Sequence, residues 1–292
     1  MKEIVILSGK GGTGKTCITA ALADVIARES RVILADADVD ASNLGLICEP
    51  ITTAEHQFFG GRIAAIDPKL CTACGLCAEV CRFDAVQPMD GYYSIHGQNC
   101  EGCDACVHQC PEKAIISVEQ QAGLWFRSTS SYGPLFHAHL FAGAENSGKL
   151  VATVKRHARE LGETEGYGLL LVDGPPGTGC PVISAISGVH LALLVTEPSI
   201  AAIHDLDRIH GLLRHFSVPV AVVLNKADLF EEGSARVRSF CNQHELELLC
   251  EVPFDTAVPD AMASGVPITR FAGDSLAAAA IEQGWSSLKA LL

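Results

Sequence analysis

The sequence predicts an α/β protein with a doubly wound, mostly parallel sheet that is interrupted by a small cysteine-rich insert. Several short segments are uniformly apolar instead of alternating, which is typical of parallel strands covered on both faces. Segments long enough to form helices separate them. Between these parts lies one region that holds eight of the 13 cysteines and has no long helical periodicity.

The apolar segments predict the strands in order. The first strand is expected at Ile4–Leu7, and a glycine-rich turn and a helix over roughly residues 15–29 follow it. A later helix is expected to begin at Asn146 or Ser147, since either residue is a good N-cap. The last helix is predicted over 275–292. Further strands are predicted at 32–34, 169–172, 190–195 and 218–224.

The composition is that of a folded, acidic chain. Of the 292 residues, 48% are hydrophobic and 19% are charged, which excludes a disordered polypeptide. The 21 Lys and Arg against 34 Asp and Glu give a net charge of −13. Nucleic acids and anionic membranes require a basic surface, so neither is expected as the main partner. The C-terminal helix likewise lacks the basic amphipathic face of membrane-attached helices.

The chain shows no sequence signal for export or for the membrane. No apolar run reaches the roughly 18–20 residues of a membrane span, so we expect no stable membrane insertion. The first residues run directly into an apolar strand, without the charged and then apolar pattern of a secretion signal. We therefore expect a cytoplasmic protein, in which abundant cysteines indicate metal ligands before disulfides.

The cysteine-rich insert is an internal repeat. Four cysteines of its first half recur in its second half, each shifted by 29 positions: Cys71, Cys74, Cys77 and Cys81, then Cys100, Cys103, Cys106 and Cys110. So short a period predicts a small module with two-fold pseudo-symmetry. The predicted organisation is therefore 1–60 for the first part of the α/β domain, 61–119 for the insert and 120–292 for the second part.

Each half of the repeat reads C-x2-C-x2-C-x3-C, which resembles the bacterial two-cluster ferredoxins. The resemblance implies two [4Fe–4S] clusters whose fourth ligands cross between the halves. One ligand set would be Cys71, Cys74, Cys77 and Cys110, and the other Cys100, Cys103, Cys106 and Cys81. Zinc is the competing metal, although structural zinc more often joins C-x2-C pairs at longer separation. Arg82 stands where the second half has Pro111, and a cation beside one cluster is expected to raise its potential.

A glycine-rich loop follows the first strand. Residues 8–16 read SGKGGTGKT, which satisfies G-x-x-x-x-G-K-[ST] between a strand and a helix. Its glycines let main-chain N–H groups surround phosphate oxygens, and the helix N-terminus favours the same negative charge. Lys15 is predicted to hold the β- and γ-phosphates and Thr16 to bind Mg²⁺. The predicted nucleotide-binding residues of this loop are Gly9, Lys10, Gly11, Gly12, Thr13, Gly14, Lys15 and Thr16.

The additional lysine of this loop, Lys10, resembles the signature lysine of the MinD/ParA ATPases. This group has a deviant Walker A loop and also includes the nitrogenase iron protein and Mrp-type cluster carriers. The resemblance implies a dimer that sandwiches two nucleotides, either a homodimer or a heterodimer with a paralogous ATPase. Lys10 would then reach the phosphates of the other subunit, as an arginine finger does, and act in catalysis together with Lys15 and Asp38.

Carboxylates follow two of the predicted strands. Asp36 and Asp38 resemble the switch I segment of these ATPases, which implies that Asp38 orients the attacking water and that Asp36 lies near the Mg²⁺ shell. A solvated strand end is the simpler alternative for this run, which continues to Asp40. The apolar run ending at Asp173 resembles a Walker B strand, whose carboxylate reaches Mg²⁺ through water. Residues 174–179 resemble switch II.

The base is predicted from two segments near the carboxyl half of the chain. Residues 225–228 read N-K-A-D, the pattern that recognises guanine in GTPases, so GTP is an alternative. In the family resembled, however, the asparagine contacts adenine, and a carboxamide can pair with adenine N6 and N7. Pro253 and Phe254 resemble the loop that flanks adenine in that family. These residues, together with Asn225, favour ATP.

The combination predicts an Mg²⁺-dependent ATPase with iron–sulfur clusters. Three functions are open: dimer switching coupled to electron transfer to a redox or metalloprotein partner, an ATP-dependent carrier or maturation factor for iron–sulfur or metal centres, and a MinD-like positioning ATPase with redox-sensing clusters. Complete cysteine quartets favour the first. Of the other cysteines, Cys180 follows switch II and is either a tolerated thiol or a reporter of nucleotide state. The remaining four are interpreted as small core residues: Cys17, Cys48, Cys241 and Cys250.

Overall fold

A computed structural model describes residues 1–145 and 147–292, which form two compact units. The first unit consists of Met1–His56, Trp125–His139 and Ser147–Leu292. The second consists of Gln57–Leu124 with residues 140–145, and it includes the whole of 61–119.

Eleven strands lie in the described part of the chain. They are β1 (Lys2–Ser8), β2 (Val32–Asp36), β3 (Ile51–Ile66), β4 (Val86–Pro88), β5 (Tyr93–Ile95), β6 (Ile115–Thr129), β7 (Pro134–Leu140), β8 (Leu169–Pro176), β9 (Leu191–Thr196), β10 (Val220–Asn225) and β11 (Glu247–Val252). Nine of these described strands form one sheet in the order β11-β10-β9-β1-β8-β2-β7-β6-β3, and β4 pairs with β5 in a separate antiparallel sheet.

Helices connect the strands. Those in the described residues are α1 (Lys15–Ala27), α2 (Leu44–Cys48), α3 (Leu76–Val80), α4 (Ala105–Gln109), α5 (Ser147–Glu165), α6 (Cys180–Ile186), α7 (Ile200–His215), α8 (Glu231–Gln243), α9 (Ala257–Ala263), α10 (Ile268–Phe271) and α11 (Leu276–Lys289). Helix α5 begins at Ser147, and Asn146, the other predicted cap, lies outside the described residues. None of the helices described is long and apolar enough to cross a membrane.

The central strands are parallel, as predicted. β1 lies between β8 and β9, β2 between β8 and β7, and β10 between β9 and β11, and all of these pairs are parallel. Every residue of Ile4–Leu7 and of Leu191–Thr196 is buried, which explains why Ile4–Leu7 and the first five residues of β9 are all apolar. The predicted doubly wound, mostly parallel α/β fold is therefore confirmed.

The carboxyl ends of β1, β2 and β8 meet at one edge of the sheet. Asp36 at the end of β2 is opposite Asp173 in β8, and Ser8 at the end of β1 is opposite Pro176. Open α/β sheets bind their ligands at such an edge. The register therefore brings the glycine-rich loop and the two carboxylate-bearing strands together.

The second unit repeats its backbone as well as its cysteines. Helices α3 and α4 lie 29 positions apart, and the residues before them, Gly75 and Asp104, have φ values of 85° and 58°. One cysteine of each helix, Cys77 and Cys106, is buried to the same extent, with 8% of its surface exposed. Both pack in a small apolar core with neighbouring residues of this unit.

Strands β3 and β6 are not predicted by the sequence. They have 16 and 15 residues, and each contributes residues to both units. Most of the first half of β3 is exposed, and its polar residues follow no strict alternation with apolar ones. Because a uniformly apolar pattern marks only strands that are covered on both faces, these two strands leave no comparable signal.

Candidate nucleotide site and thiol cavities

The glycine-rich loop between β1 and α1 requires glycine near its end. Gly12 and Gly14 have φ values of 82° and 89°, a left-handed conformation that glycine adopts without steric cost. A Cβ atom on Gly14 would also overlap Nδ2 of Asn225. At the start of the loop, the Ser8 hydroxyl donates a 2.8 Å hydrogen bond to the carbonyl of Lys10, which holds the turn together.

The rest of the loop fits an anionic ligand. Gly11 and Gly12 are exposed, so their main-chain groups are accessible. Thr13 is buried, and its Oγ1 atom has no hydrogen-bond partner in the described part of the chain. Gly9 packs against α7, where a Cβ atom would approach Asp205 to 2.5 Å. A buried unpaired hydroxyl beside exposed main chain is an arrangement suited to phosphate oxygens.

Asp173 of β8 is the centre of the site. Its carboxylate accepts three hydrogen bonds of 2.8 Å, from the Lys15 ammonium group and from the hydroxyls of Thr16 and Thr19. Asp173 and Lys15 are 0% and 6% exposed. Burial alone would lower the pKa of Lys15, but the attraction of Asp173 and its neighbouring carboxylates raises this pKa above its ordinary value. The carboxylates around Lys15 therefore favour its charged form.

Thr19 is a site residue that the sequence prediction did not include. It lies one turn after Lys15 on α1, and residues four apart share one face of a helix. Its hydroxyl also lies 3.0 Å from the main-chain carbonyl of Lys15. The i, i+4 spacing from the lysine was the signal that could have identified it.

Asp36 fixes the loop after β2. It is fully buried, and its carboxylate accepts hydrogen bonds from the N–H groups of Asp38 and Leu44, at 3.1 and 3.0 Å, and from the Ser42 hydroxyl at 2.7 Å. Burial, with repulsion by Asp173, raises the pKa of Asp36. These bonds hold the loop that carries Asp38, and a role for Asp36 near Mg²⁺ stays a prediction.

Asp38 lies beside the buried lysine. Its Oδ2 atom is 4.0 Å from Nζ of Lys15, and 15% of its side chain is exposed. Burial raises the pKa of Asp38, although the Lys15 charge opposes this shift. A carboxylate in this position can accept a hydrogen bond from a water molecule next to a phosphate held by the lysine.

Glu197 joins two lysines at the loop and was not part of the sequence prediction. Its carboxylate oxygens lie 2.6 Å from Nζ of Lys10 and 2.9 Å from Nζ of Lys226. Lys226 also donates to the carbonyl of Gly12 at 3.0 Å, and Lys10 donates to the Ser199 hydroxyl at 3.2 Å. Glu197 directly follows β9, so its position after an apolar strand was the available signal.

Replacing Glu197 by glutamine is expected to lower the free energy of unfolding of the nucleotide-free protein by about 1 kcal/mol near neutral pH. Burial alone would raise the pKa of Glu197, but Lys10 and Lys226 hold it below its ordinary value. Its stabilising contribution is therefore present above the unfolded pKa of about 4.3 and is lost as the pH falls through the folded pKa. Urea denaturation of both proteins across this pH range measures the effect.

Glu232→Gln is the matched control for this prediction. It removes an exposed i, i+4 pair with Arg236, so we expect a change of less than about 0.5 kcal/mol. Equal losses in the two variants, or a Glu197 effect that is the same at acid and neutral pH, would contradict the assigned contacts.

Asn225, which is predicted to contact the base, and Asp228 of the same segment form hydrogen bonds with main-chain groups. Nδ2 of Asn225 donates to the carbonyl of Thr13 at 2.8 Å. The carboxylate of Asp228 accepts from the N–H of Phe254 at 2.6 Å and so positions the segment with Pro253 and Phe254. Phe254 is 45% exposed, and an exposed aromatic residue can stack on a base.

The eight repeat cysteines surround two cavities in the second unit. The first thiol cavity is lined by Cys71, Cys74, Cys77 and Cys110. The second thiol cavity is lined by Cys81, Cys100, Cys103 and Cys106. Each cavity thus has three cysteines from one half of the repeat and one from the other half. In the described part of the chain, no three His, Cys, Asp or Glu side chains form a site for a single metal ion.

The five other cysteines lie in the first unit. Cys48 and Cys241 are buried, and burial raises their thiol pKa values to about 12 and about 11. Cys250 is partly buried, with a pKa raised to about 12 for the same reason. The Sγ atom of Cys17 lies 3.0 Å from the sulfur of Met262. Cys180 is exposed at the start of α6.

Comparison with known proteins identifies relatives over nearly the whole chain. An uncharacterized protein of Methanocaldococcus jannaschii, MJ0578, is 31% identical over 264 residues, which are 90% of this chain and 88% of that protein. An iron-sulfur cluster carrier protein of Pyrococcus abyssi is 21% identical over 295 residues, covering 95% and 82% of the two chains.

The fold is similar to that of a solved septum site-determining protein. The structure of MinD from Pyrococcus horikoshii, complexed with Mg-ADP, superposes with a TM-score of 0.64 at 18% identity and covers 99% of this chain and 96% of that one. The family model of the CobQ/CobB/MinD/ParA nucleotide binding domain matches residues 4–268. The chain therefore belongs to this family, and it is a P-loop ATPase of the MinD/ParA type.

Proposed function

We propose that the chain is an ATP-dependent iron–sulfur protein in which nucleotide-controlled dimerisation governs electron transfer to a partner protein. One observation carries the proposal: the chain combines an ATPase site with two separate cavities, each lined by four cysteines. ATP hydrolysis by itself requires none of these eight thiols. Their arrangement in two complete sets therefore calls for a second chemistry.

Each thiol cavity would hold one [4Fe–4S] cluster, and the second unit would form a ferredoxin-type module that includes residues 61–119. Four thiolates complete the protein coordination of such a cluster, and soft sulfur ligands suit iron–sulfur centres. Cys110 of the second half lines the first thiol cavity, and Cys81 of the first half lines the second. This crossing supports clusters over zinc, because it is the ligand pattern of two-cluster ferredoxins. Bound clusters would supply one-electron transfer at low potential.

At the nucleotide site, Lys15 would leave its contact with Asp173 and bind the β- and γ-phosphates. Thr16 and Asp173 would hold Mg²⁺, and the 2.8 Å contact between their oxygens supports this pairing. Mg²⁺ bound there would neutralise charge on the phosphate oxygens. Asp38, 4.0 Å from Lys15, would orient the attacking water, and Asp36 would keep the Asp38 loop in place.

Dimerisation would depend on Lys10. In the single chain this lysine is paired with Glu197 at 2.6 Å, and 32% of its side chain is exposed. Lys10 would exchange this carboxylate for the phosphates of the nucleotide in the other subunit. Glu197 would remain paired with Lys226, so the release of Lys10 leaves no isolated carboxylate behind.

The base would be adenine, bound near Asn225, Pro253 and Phe254. In a guanine site the aspartate of N-K-x-D reads the base. Here Asp228 instead accepts the Phe254 N–H at 2.6 Å, which supports a structural role for this carboxylate. The exposed Phe254 ring is available for stacking on adenine.

A carrier of iron–sulfur clusters is the second candidate function. It is supported by the relative in Pyrococcus abyssi that is named an iron-sulfur cluster carrier protein. Transfer of a cluster requires that ligands be released easily. Complete quartets that include a buried thiol, Cys77 in one and Cys106 in the other, support retention of the clusters instead.

The test uses anaerobically purified protein that is first reduced chemically and then freed of excess reductant, with a redox dye as electron acceptor and an apo-ferredoxin as cluster acceptor. We expect MgATP to accelerate dye reduction relative to MgADP while the iron stays on the chain. Movement of iron to the apo-ferredoxin on addition of ATP would establish the carrier function. Dye reduction that is the same with both nucleotides, without iron movement, would contradict both functions.

A further inference from the structure

The two thiol cavities differ in the charge of their walls. At equivalent positions of the repeat, Gly75 lines the first thiol cavity and Asp104 lines the second. An exposed carboxylate also borders each cavity, Glu112 in the first and Glu101 in the second. Asp104 is therefore the residue that makes the second cavity more negative.

Asp104 is held in an unusual conformation and environment. Its φ of 58° lies in the left-handed region that Gly75 occupies in the first half with φ 85°, and aspartate is among the few other residues that tolerate it. The Oδ1 atom is buried and has no hydrogen-bond partner in the described part of the chain. A desolvated carboxylate oxygen without a donor acts on its surroundings with little screening.

Main-chain hydrogen bonds to cysteine sulfur occur in both cavities among the described residues. The second cavity has a main-chain hydrogen bond from Ala64 to Sγ of Cys100 at 3.4 Å. The first has one from Ala114 to Sγ of Cys110 at 3.3 Å. Such bonds favour the reduced state of a cluster, and one in each cavity gives no preference between the two.

The charge of Arg82 would shift the reduction potential of the second cluster in the opposite direction, but Arg82 lies outside the second thiol cavity. It follows Cys81, a ligand of the second set, and its charge by itself would raise the potential there. Its side chain is exposed and does not line the cavity, so solvent and salt screen it. The partly buried Asp104 carboxylate therefore has the larger effect.

We propose that Asp104 gives the cluster of the second thiol cavity the lower reduction potential of the two. This inference rests on the proposed function, because both cavities must hold clusters. A one-electron donor of low potential adds one electron, and one negative charge, to each cluster. The unpaired Asp104 oxygen repels this added charge in the second cavity, so the first cluster is reduced first and the second is the stronger reductant.

The test is an anaerobic redox titration of the full-length holoprotein, followed by EPR, with iron counted in every sample. Asp104→Asn removes the charge at nearly constant shape, and Asp104→Gly restores the residue of the first half at a backbone position that glycine accepts. We expect the lower midpoint potential to move to more positive values in both variants, while the upper one and the iron content stay unchanged. Glu101→Gln, an exposed carboxylate of the same cavity, is the control with a clearly smaller shift.

Repeating the Asp104→Asn titration in a Cys74→Ala variant shows which cavity gives the shifted midpoint potential. With the first set incomplete, the remaining signal is expected to have the lower potential and to respond to Asp104→Asn. Intact clusters whose lower potential is unmoved in both Asp104 variants would overturn this inference alone. A wild-type protein without clusters would overturn the proposed function and this inference together.

Discussion

Replacement of Lys15 by alanine is expected to slow ATP hydrolysis by about 10³-fold. Lys15 is 6% exposed and is held at the first turn of α1, with Nζ 2.8 Å from the Asp173 carboxylate. In this buried setting a single positive charge stabilises the developing charge on the phosphate oxygens far more than in water. Steady-state phosphate release with saturating MgATP measures the loss.

Two further variants make this prediction specific. Lys15→Ala leaves buried carboxylates without their cation, so circular dichroism and thermal melting must accompany the assay. Lys15→Arg keeps the charge but presents a wider, planar head group, and we expect it to retain the fold and lose hydrolysis. Lys69→Ala, an exposed lysine in the second unit, is the control with unchanged activity. Lys15 variants with activity within tenfold of wild type would contradict the assignment of the site.

Removal of cysteines in pairs is expected to show that the ligand sets cross between the halves of the repeat. Cys74→Ala should remove about half of roughly eight irons per chain, because it disables the first thiol cavity alone. Adding Cys110→Ala should remove little more, since Cys110 lines the same cavity. Adding Cys81→Ala instead should remove nearly all the iron, since Cys81 lines the other cavity.

The comparison of the iron content of the two double variants decides between crossed and uncrossed ligand sets. If each half bound its own cluster, the outcomes of the two double variants would be exchanged. Cys180→Ala is the control, because Cys180 is exposed in the first unit and lies outside both cavities. Iron and acid-labile sulfide are measured on anaerobically purified protein, and full iron content in Cys74→Ala would contradict the proposed ligand set.

The parts of the fold that sequence could predict are those whose physical cause is local. Uniform burial makes central strands such as Ile4–Leu7 apolar throughout. The phosphate loop could also be predicted from a short segment, because its glycines and Lys15 lie close together in the sequence between one strand and one helix. The cysteine spacing carries the same kind of information: a tight loop limits which thiols can share a cavity.

The contacts that sequence could not predict join distant segments. Glu197 meets Lys10 and Lys226 only because β9 lies next to both β1 and β10 in the sheet. An order of parallel strands is not encoded in their apolar patterns, since all the central strands look alike. The unpaired oxygen of Asp104 is likewise a consequence of three-dimensional packing, and the sequence shows only that it replaces a glycine of the other half.

The effect of nucleotide on the cluster potentials tests most directly whether one chain couples an ATPase site to two iron–sulfur clusters. The midpoint potentials are measured anaerobically by EPR with MgATP, with MgADP and without nucleotide. We predict two clusters per chain and a shift with MgATP that is absent in Lys15→Ala. Two intact clusters with the same potentials in all three states would contradict the coupling.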